Sequence, residues 1–300
     1  MKFVRLSLLM TLLLTVLSAC GAPAQSSADI TAAPADPTAA PAGAELVIVG
    51  QEIAAGLDPV HELTSAYLRG VGAGEALMKV QADGTVAPEL ALSITQRTTA
   101  TWTIALRPGV TFWSGAPVDA AAVRASLERS RALDAQAAPF LEGMTFTVID
   151  PLTLEVATAT PNPMTPFNLS YYQLLIHNAA TYGESANPFD LTAMDLTGPF
   201  KVTEFAPKQS MVLEANPGYW GAKPALARIR HEEVKDAQAR VLAAQSGQAD
   251  VVTGVPAEAA ATLQHDPAVT LVPVPAANTT TVYLNLQSAA LRDVRVRQAI

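Results

Sequence analysis

Three hundred residues are enough for one large domain or two ordinary ones. Half of them are apolar and only 15% are charged, which excludes a long disordered chain. The formal net charge of −8 argues against nucleic-acid binding, which needs clustered Lys and Arg.

The chain opens on the basic start Met1-Lys2-Phe3-Val4-Arg5. Twelve apolar or small residues follow from Leu6 to Leu17, and then Ser18-Ala19-Cys20. Basic start, apolar core and small-residue exit predict a secretory signal over residues 1–19, its core too short to span a membrane as a stable helix. Later apolar runs are all broken by Pro, Gly or charge, so an integral membrane protein is not expected. The Leu17-Ser18-Ala19-Cys20 ending resembles a bacterial lipoprotein signal, in which the Cys is acylated and becomes the new N-terminus. Cys20 is the one Cys of the chain, which leaves no disulfide framework and gives that thiol an evident use. An ordinary cleaved signal with a chance Cys is the alternative. Without residues 1–19, 17 basic residues face 27 acidic ones, a balance of −10.

Residues 20–44 form an Ala/Pro-rich tether. Gly21 to Ala44 holds ten Ala and four Pro among 24 residues, no aromatic, and Ile30 as its one branched aliphatic. Such a stretch cannot bury a core, and its root-mean-square reach is about 27 Å. The composition changes at Glu45. Leu46-Val47-Ile48-Val49 predicts a buried strand. A helix is expected over Ser65 to Met78, with Asp83-Gly84 as a turn. Leu92 to Arg97 and Thr101 to Leu106 read as strands. Asp119 is placed to cap a helix over residues 120–128. Met144 to Ile149 and Thr153 to Ala157 are strands joined through Asp150-Pro151. Phe200 to Phe205 and Met211 to Glu214 form a hairpin through Pro207-Lys208-Gln209. A strand over Leu226 to Val234 and a helix over Asp236 to Gln245, ended by Gly247, follow. Strands over Val269 to Val274 and Thr280 to Leu286 and a helix opening at Asp293 complete the reading. Interleaved helices and strands, with short hairpins and longer crossovers, predict a mixed α/β protein.

Catalytic signatures are missing. His61, His177, His231 and His265 are far apart, and there is neither a His-Glu-x-x-His motif nor a Cys pair. His231 and Glu233 would share a face of their strand, which makes a metal pair conceivable, but a solvated strand end explains them more simply. No Gly-x-Ser-x-Gly elbow and no P-loop occurs. Gly70-Val71-Gly72-Ala73-Gly74 does not directly follow a strand, so small residues packed where a helix meets another element explain it better than a dinucleotide loop.

Seven segments, in order, carry a resemblance. They are Gly56-Leu57-Asp58-Pro59; Gly74-Glu75-Ala76-Leu77-Met78 with Asp83-Gly84 and Pro88-Glu89-Leu90-Ala91; and Trp102 through Val118. Next come Thr197-Gly198-Pro199-Phe200 and Asn216-Pro217-Gly218-Tyr219-Trp220-Gly221. The last are Gly247-Gln248-Ala249-Asp250-Val251, and Leu284-Asn285 with Arg292 through Ile300. Together they resemble the family 5 extracellular solute-binding proteins of ABC importers, which deliver peptides and, in some branches, nickel. At Gly109 the family more often has an acidic residue.

The resemblance implies a periplasmic-binding-protein-like α/β fold of the two-lobe, class II or cluster C type, closing on ligand at a hinge. It implies a first lobe over residues 45–278 with an inserted subdomain near 62–168, and the start of a second lobe over 279–300. Family chains are typically much longer, and Val294 through Ile300 begins a helix. The expectation is therefore a C-terminally truncated chain or fragment, with lobe I nearly complete and lobe II mostly missing. Implied partners are a small peptide or similar solute, an ABC permease and a membrane reached through lipidated Cys20 on the outer face of the cytoplasmic membrane. The protein is expected to be a monomer with no cofactor, no resident metal and no catalytic residues. Tyr67, Trp113, Tyr172, His177 and Trp220 are the expected cleft-lining residues. Nickel-binding relatives carry arginines in the stretches matching Asp134 to Phe140 and Leu174 to Asn178. This sequence has none there, which disfavours a carboxylate-rich chelate. A nickel or metal-chelate binder, an exported hydrolase and a lipid-anchored sensor are the alternatives.

Overall fold

A computed structural model describes residues 44–61, 63–182, 187–274 and 283–299. The signal, Cys20 and nearly all of the tether lie outside the described residues. In chain order the elements are β1 (Glu45–Gly50), α1 (Thr64–Gly70), β2 (Met78–Val80), β3 (Val86–Pro88), β4 (Ala91–Thr98) and β5 (Thr101–Leu106). Then come α2 (Ala120–Leu133), β6 (Met144–Asp150), β7 (Thr153–Thr158), α3 (Thr165–Asn168), β8 (Phe200–Ala206) and β9 (Ser210–Ala215). The chain continues through β10 (Arg228–Glu233), α4 (Ala237–Gln245), β11 (Val251–Val252), α5 (Ala257–Leu263), α6 (Ala289–Arg292) and α7 (Val294–Gln298). No described helix is long and apolar enough to cross a membrane.

The first sheet has the order β11-β1-β10-β9-β8. β1 is parallel to both β10 and β11, while β8, β9 and β10 alternate in direction. The second sheet, β4-β5-β7-β6, is antiparallel, and β2 and β3 make a separate ribbon. The mixed α/β expectation holds. Each larger sheet has its own apolar cluster. Ile104, Leu154 and Val156 pack with Val123 and Leu127 of α2 in one. In the other, Met211, Leu213 and Ile229 pack with Leu57, Leu68 and Leu196.

Local chemistry explains most boundaries. The Asp119 carboxylate accepts the Ala122 amide at 2.8 Å and starts α2, which runs five residues beyond the expected 128. Asp236 caps α4 through Ala239 at 2.7 Å, and Gly247, with φ +70°, follows its end. The β6–β7 and β8–β9 hairpins turn where expected, through Asp150-Pro151 and residues 207–209.

Three expectations need correction. The helix expected over residues 65–78 stops at Gly70, because the chain turns through Gly72 (φ +75°) to lie against another strand of backbone. Gly198 donates its amide to the Ala73 carbonyl at 3.0 Å, and a Cβ on Gly198 would collide with the backbone of Gly72 and Ala73. The glycine cluster is thus a close packing of backbones, as its small residues suggested. Residues 269–274 form no strand: none of them is buried, and Val272 and Val274 are exposed, so the apolar run has no packed face. Of the strand expected over residues 280–286, residues 283–286 are not strand and the others lie outside the described residues. Helix α5 follows Pro256, and its Ala-rich turns suit a helix that ends before His265-Asp266-Pro267.

Candidate functional site

Parallel strands carry ligands beyond their C-terminal ends, where successive loops diverge. Here β1, β10 and β11 end side by side at Gly50, Glu233 and Val252. The loops leaving them are tied down: Val234 donates to the Gly50 carbonyl at 2.8 Å and Thr253 to that of Val49 at 3.0 Å. Arg240 of α4 is buried and braces the same edge, donating to the carbonyls of Val234 (2.7 Å), Lys235 (2.8 Å) and Gly254 (2.7 Å). Gly50 leaves little room, since a Cβ there would sit 2.9 Å from Nε2 of His231 and 3.1 Å from Oγ1 of Thr253.

Strand alternation places Ile229, His231 and Glu233 on one face of β10, as expected. The Glu233 side chain is only 6% exposed; it accepts the Ile53 amide at 3.3 Å and lies 3.5 Å from the Lys235 ammonium. Burial holds the His231 imidazole below its usual range. Tyr67 of α1 donates its hydroxyl to Glu52 at 2.6 Å. That bond, with burial and the nearby Glu52 and Glu233 charges, pushes the phenol up to about 12. Among the described residues no group of three or more His, Cys, Asp or Glu is arranged to hold a metal ion.

Trp113 packs on the same apolar cluster as Tyr67. Its amide donates to Leu196 at 2.8 Å, its indole N–H to the Gly198 carbonyl at 3.1 Å, and its carbonyl accepts Nζ of Lys201 at 2.8 Å. Next to it, Ser114 donates its amide and hydroxyl to the buried Asp195 carboxylate at 2.9 and 2.6 Å.

Trp220 belongs to the other cluster. The Asn216 turn presents Tyr219 and Trp220 to one buried carboxylate, Glu75. Tyr219 donates its hydroxyl at 2.8 Å and Trp220 its indole N–H at 3.0 Å. Arg107 stacks 4.9 Å above the indole. Burial raises the Glu75 carboxyl, against the lowering effect of these donors.

Tyr172 is partly exposed and stands beside Tyr171. His177 has no exposed surface (0%) and lies in an interior polar cluster rather than on a cleft wall. Its Nδ1 is 3.0 Å from the Leu175 carbonyl, which can only accept, so the neutral ring carries its proton there. Nε2 then faces Nη1 of Arg129 at 3.4 Å. Arg129 grips Asp58 with two hydrogen bonds, 2.8 and 2.6 Å, and covers the Tyr182 ring at 4.4 Å. Burial lowers the imidazole to about 4, helped by the Arg129 charge. Burial alone would raise Asp58, but Arg129 and the Val60 amide outweigh it and hold that carboxyl below its usual range.

The structure therefore brings Tyr67 and Trp113 to one cluster, holds Trp220 and Tyr172 elsewhere, and buries His177. Sequence reasoning did not identify Glu75, Asp195 or the Asp58–Arg129 pair as functional or structural centres. Asp58 and Glu75 stood inside quoted segments, yet their partners lie 71 and 144–145 positions away.

The family model described as bacterial extracellular solute-binding proteins, family 5 Middle, matches residues 85–300. The chain is 29% identical over 241 residues to the nickel-binding periplasmic protein of Escherichia coli (strain K12), covering 75% of this chain and 45% of that protein. It is 27% identical over 204 residues to the probable D,D-dipeptide-binding periplasmic protein DdpA of the same organism, 66% of this chain and 40% of that one. It superposes on the crystal structure of the nickel ABC transporter from Bacillus halodurans with a TM-score of 0.65 and 30% identity, covering 85% of this chain and 52% of the other. The chain thus spans 40–45% of the length of these curated relatives.

Proposed function

The chain belongs to the bacterial extracellular solute-binding proteins of family 5, and from that premise we propose that it captures an oligopeptide or similarly sized solute for an ABC importer. The observation that carries this reading is the family match over residues 85–300. The shared C-terminal edge of β1, β10 and β11, with Tyr67 bonded to Glu52 just beyond it, supports it. Pockets of this kind are mostly apolar with a few polar anchors.

On this reading residues 45–278 form a first lobe, residues 62–168 a subdomain inserted in it, and residues 279–300 open a second lobe. The separate apolar clusters on the two larger sheets support a subdomain within the first lobe. Tyr67, Trp113, Tyr172 and Trp220 contact the solute, and His177 braces the wall from behind. The protein is a monomer that hands its solute to a membrane permease, and a lipid on Cys20 holds it to the outer face of the membrane. The supporting observation for the anchor is the Leu17-Ser18-Ala19-Cys20 ending with no other Cys in the chain.

A metal-chelate ligand is the second reading, favoured by the likeness to two nickel-named proteins. The lack of arginines over residues 134–140 and 174–178 disfavours it.

Thermal unfolding of the full chain with di- and tripeptides, D-alanyl-D-alanine and nickel plus histidine tests both readings. A ligand at one hundred times its Kd adds about 2.7 kcal/mol, which raises the Tm by about 5 °C or more. A shift with peptides alone supports the first reading and a shift with nickel–histidine alone the second. No shift and no binding heat with any of them overturns solute capture.

A further inference from the structure

Where α2 gives way to the short helical turn Ala138–Leu141, three aromatic rings gather beside two buried acceptors. Phe140 stacks on Tyr171 with centroids 3.6 Å apart, and Tyr171 leans on Tyr172 at 4.5 Å. The Tyr171 hydroxyl donates to that of Tyr172 at 3.3 Å. All three rings are partly exposed. Asp134 and Gln173 are 4% and 1% exposed. Asp134 uses Oδ1 to accept the amides of Gln136 and Ala137 at 2.8 and 3.1 Å. Gln173 donates its side-chain amide to the Gln136 side chain at 2.9 Å, which ties it to the same turn. Oδ2 of Asp134 and Oε1 of Gln173 have no hydrogen-bond partner among the described residues. Nor does Asp134 have an ion-pair partner among them. The carboxylate is close enough to influence Tyr171, whose phenol is pushed up to about 12 by burial, by Tyr172 and by Asp134.

Leaving a buried acceptor unmatched costs about 1–3 kcal/mol, and more when it is charged. Two such acceptors joined through one turn call for a donor, and a lone carboxylate calls for a cation. Aromatic faces attract cations as well. A primary ammonium supplies three donors and one positive charge in a small volume.

We propose that Asp134 and Gln173 form a subsite for a primary ammonium group of the solute, shielded by Phe140, Tyr171 and Tyr172. The proposal rests on the solute-binding reading and narrows it to amine-bearing solutes. Both oxygens are buried, so neighbouring side chains must move for the group to reach them.

Calorimetry on the full chain with alanyl-lysyl-alanine and the same peptide acetylated at both amines tests it. Blocking the amines weakens binding at least about tenfold, the scale of one charge-assisted hydrogen bond. Asp134→Asn keeps Oδ1 for the two backbone amides and removes the charge. It weakens the free peptide about tenfold and leaves the blocked peptide within about twofold. Gln173→Met, with its unfolding midpoint checked, provides the same comparison if Asp134→Asn does not fold, and the wild-type comparison needs neither variant. Equal affinity for free and blocked peptides overturns the subsite and leaves solute capture standing, as does an equal loss for both in Asp134→Asn. Binding of neither peptide also overturns the subsite, and solute capture is then decided by the broader ligand set above.

Discussion

The interior of this protein contains a charged cluster whose members depend on one another. Asp58 is 1% exposed and its charge is compensated by Arg129. Replacing Arg129 by Leu leaves that carboxylate buried with only the His61 imidazole, 3.6 Å away, beside it, which costs about 3–5 kcal/mol in a urea titration at pH 7. Replacing both Arg129 and Asp58 costs less than Arg129→Leu alone, because no charge is then stranded. His177 adds a pH dependence. Its folded value, about 4, lies below the ordinary 6.5, so between these the folded state binds fewer protons than the unfolded one. The stabilisation is complete above about pH 6.5 and is lost as pH falls toward 4, by about 3 kcal/mol in all. Unfolding free energies measured from pH 7 to pH 4 fall less steeply in His177→Asn than in the wild type. Equal slopes would show that the imidazole does not titrate this way. The segment holding His177 was identifiable from the sequence, but its burial was not, since nothing local distinguishes a cleft histidine from a core one.

At the scale of elements, local signals were legible and pairing was not. The Asp119 and Asp236 caps, the Gly247 stop and the two hairpins follow from residues within one turn of each boundary. The helix expected over residues 65–78 ended early because its second half serves as a backbone platform for Gly198. Gly198→Ala therefore drives a methyl into the backbone of Gly72 and Ala73 and costs about 3 kcal/mol by urea titration. Gly84→Ala, where φ is +81° and the surroundings are open, costs about 1 kcal/mol. Similar losses in the two variants would show that the close approach is relaxed in solution. The strand expected over residues 269–274 had a suitable pattern, but none of its residues is buried, and a strand pattern needs a packed face to hold it.

At the scale of the whole molecule, two sheets with separate cores form a mixed α/β fold shared with binding proteins about twice as long. The signal proposed over residues 1–19 bears on where that fold works. On the proposed lipid anchor, Cys20→Ser abolishes metabolic labelling by a radiolabelled fatty acid and releases the protein from washed membranes, because the acyl chains that hold it are attached through that residue. Membrane retention of the variant equal to wild type would remove the lipid anchor from the proposal. The sequence by itself determined the α/β class, the capped helices, the hairpins and the family. Those signals are either local or carried by the order of short segments along the chain. Tertiary structure alone decided that His177 is interior, that Glu75 receives Tyr219 and Trp220, and that Asp134 and Gln173 keep unmatched acceptors beside a stack of rings. Burial and pairing depend on what the fold lays over a residue, and here the partners come from 37 to 145 positions away.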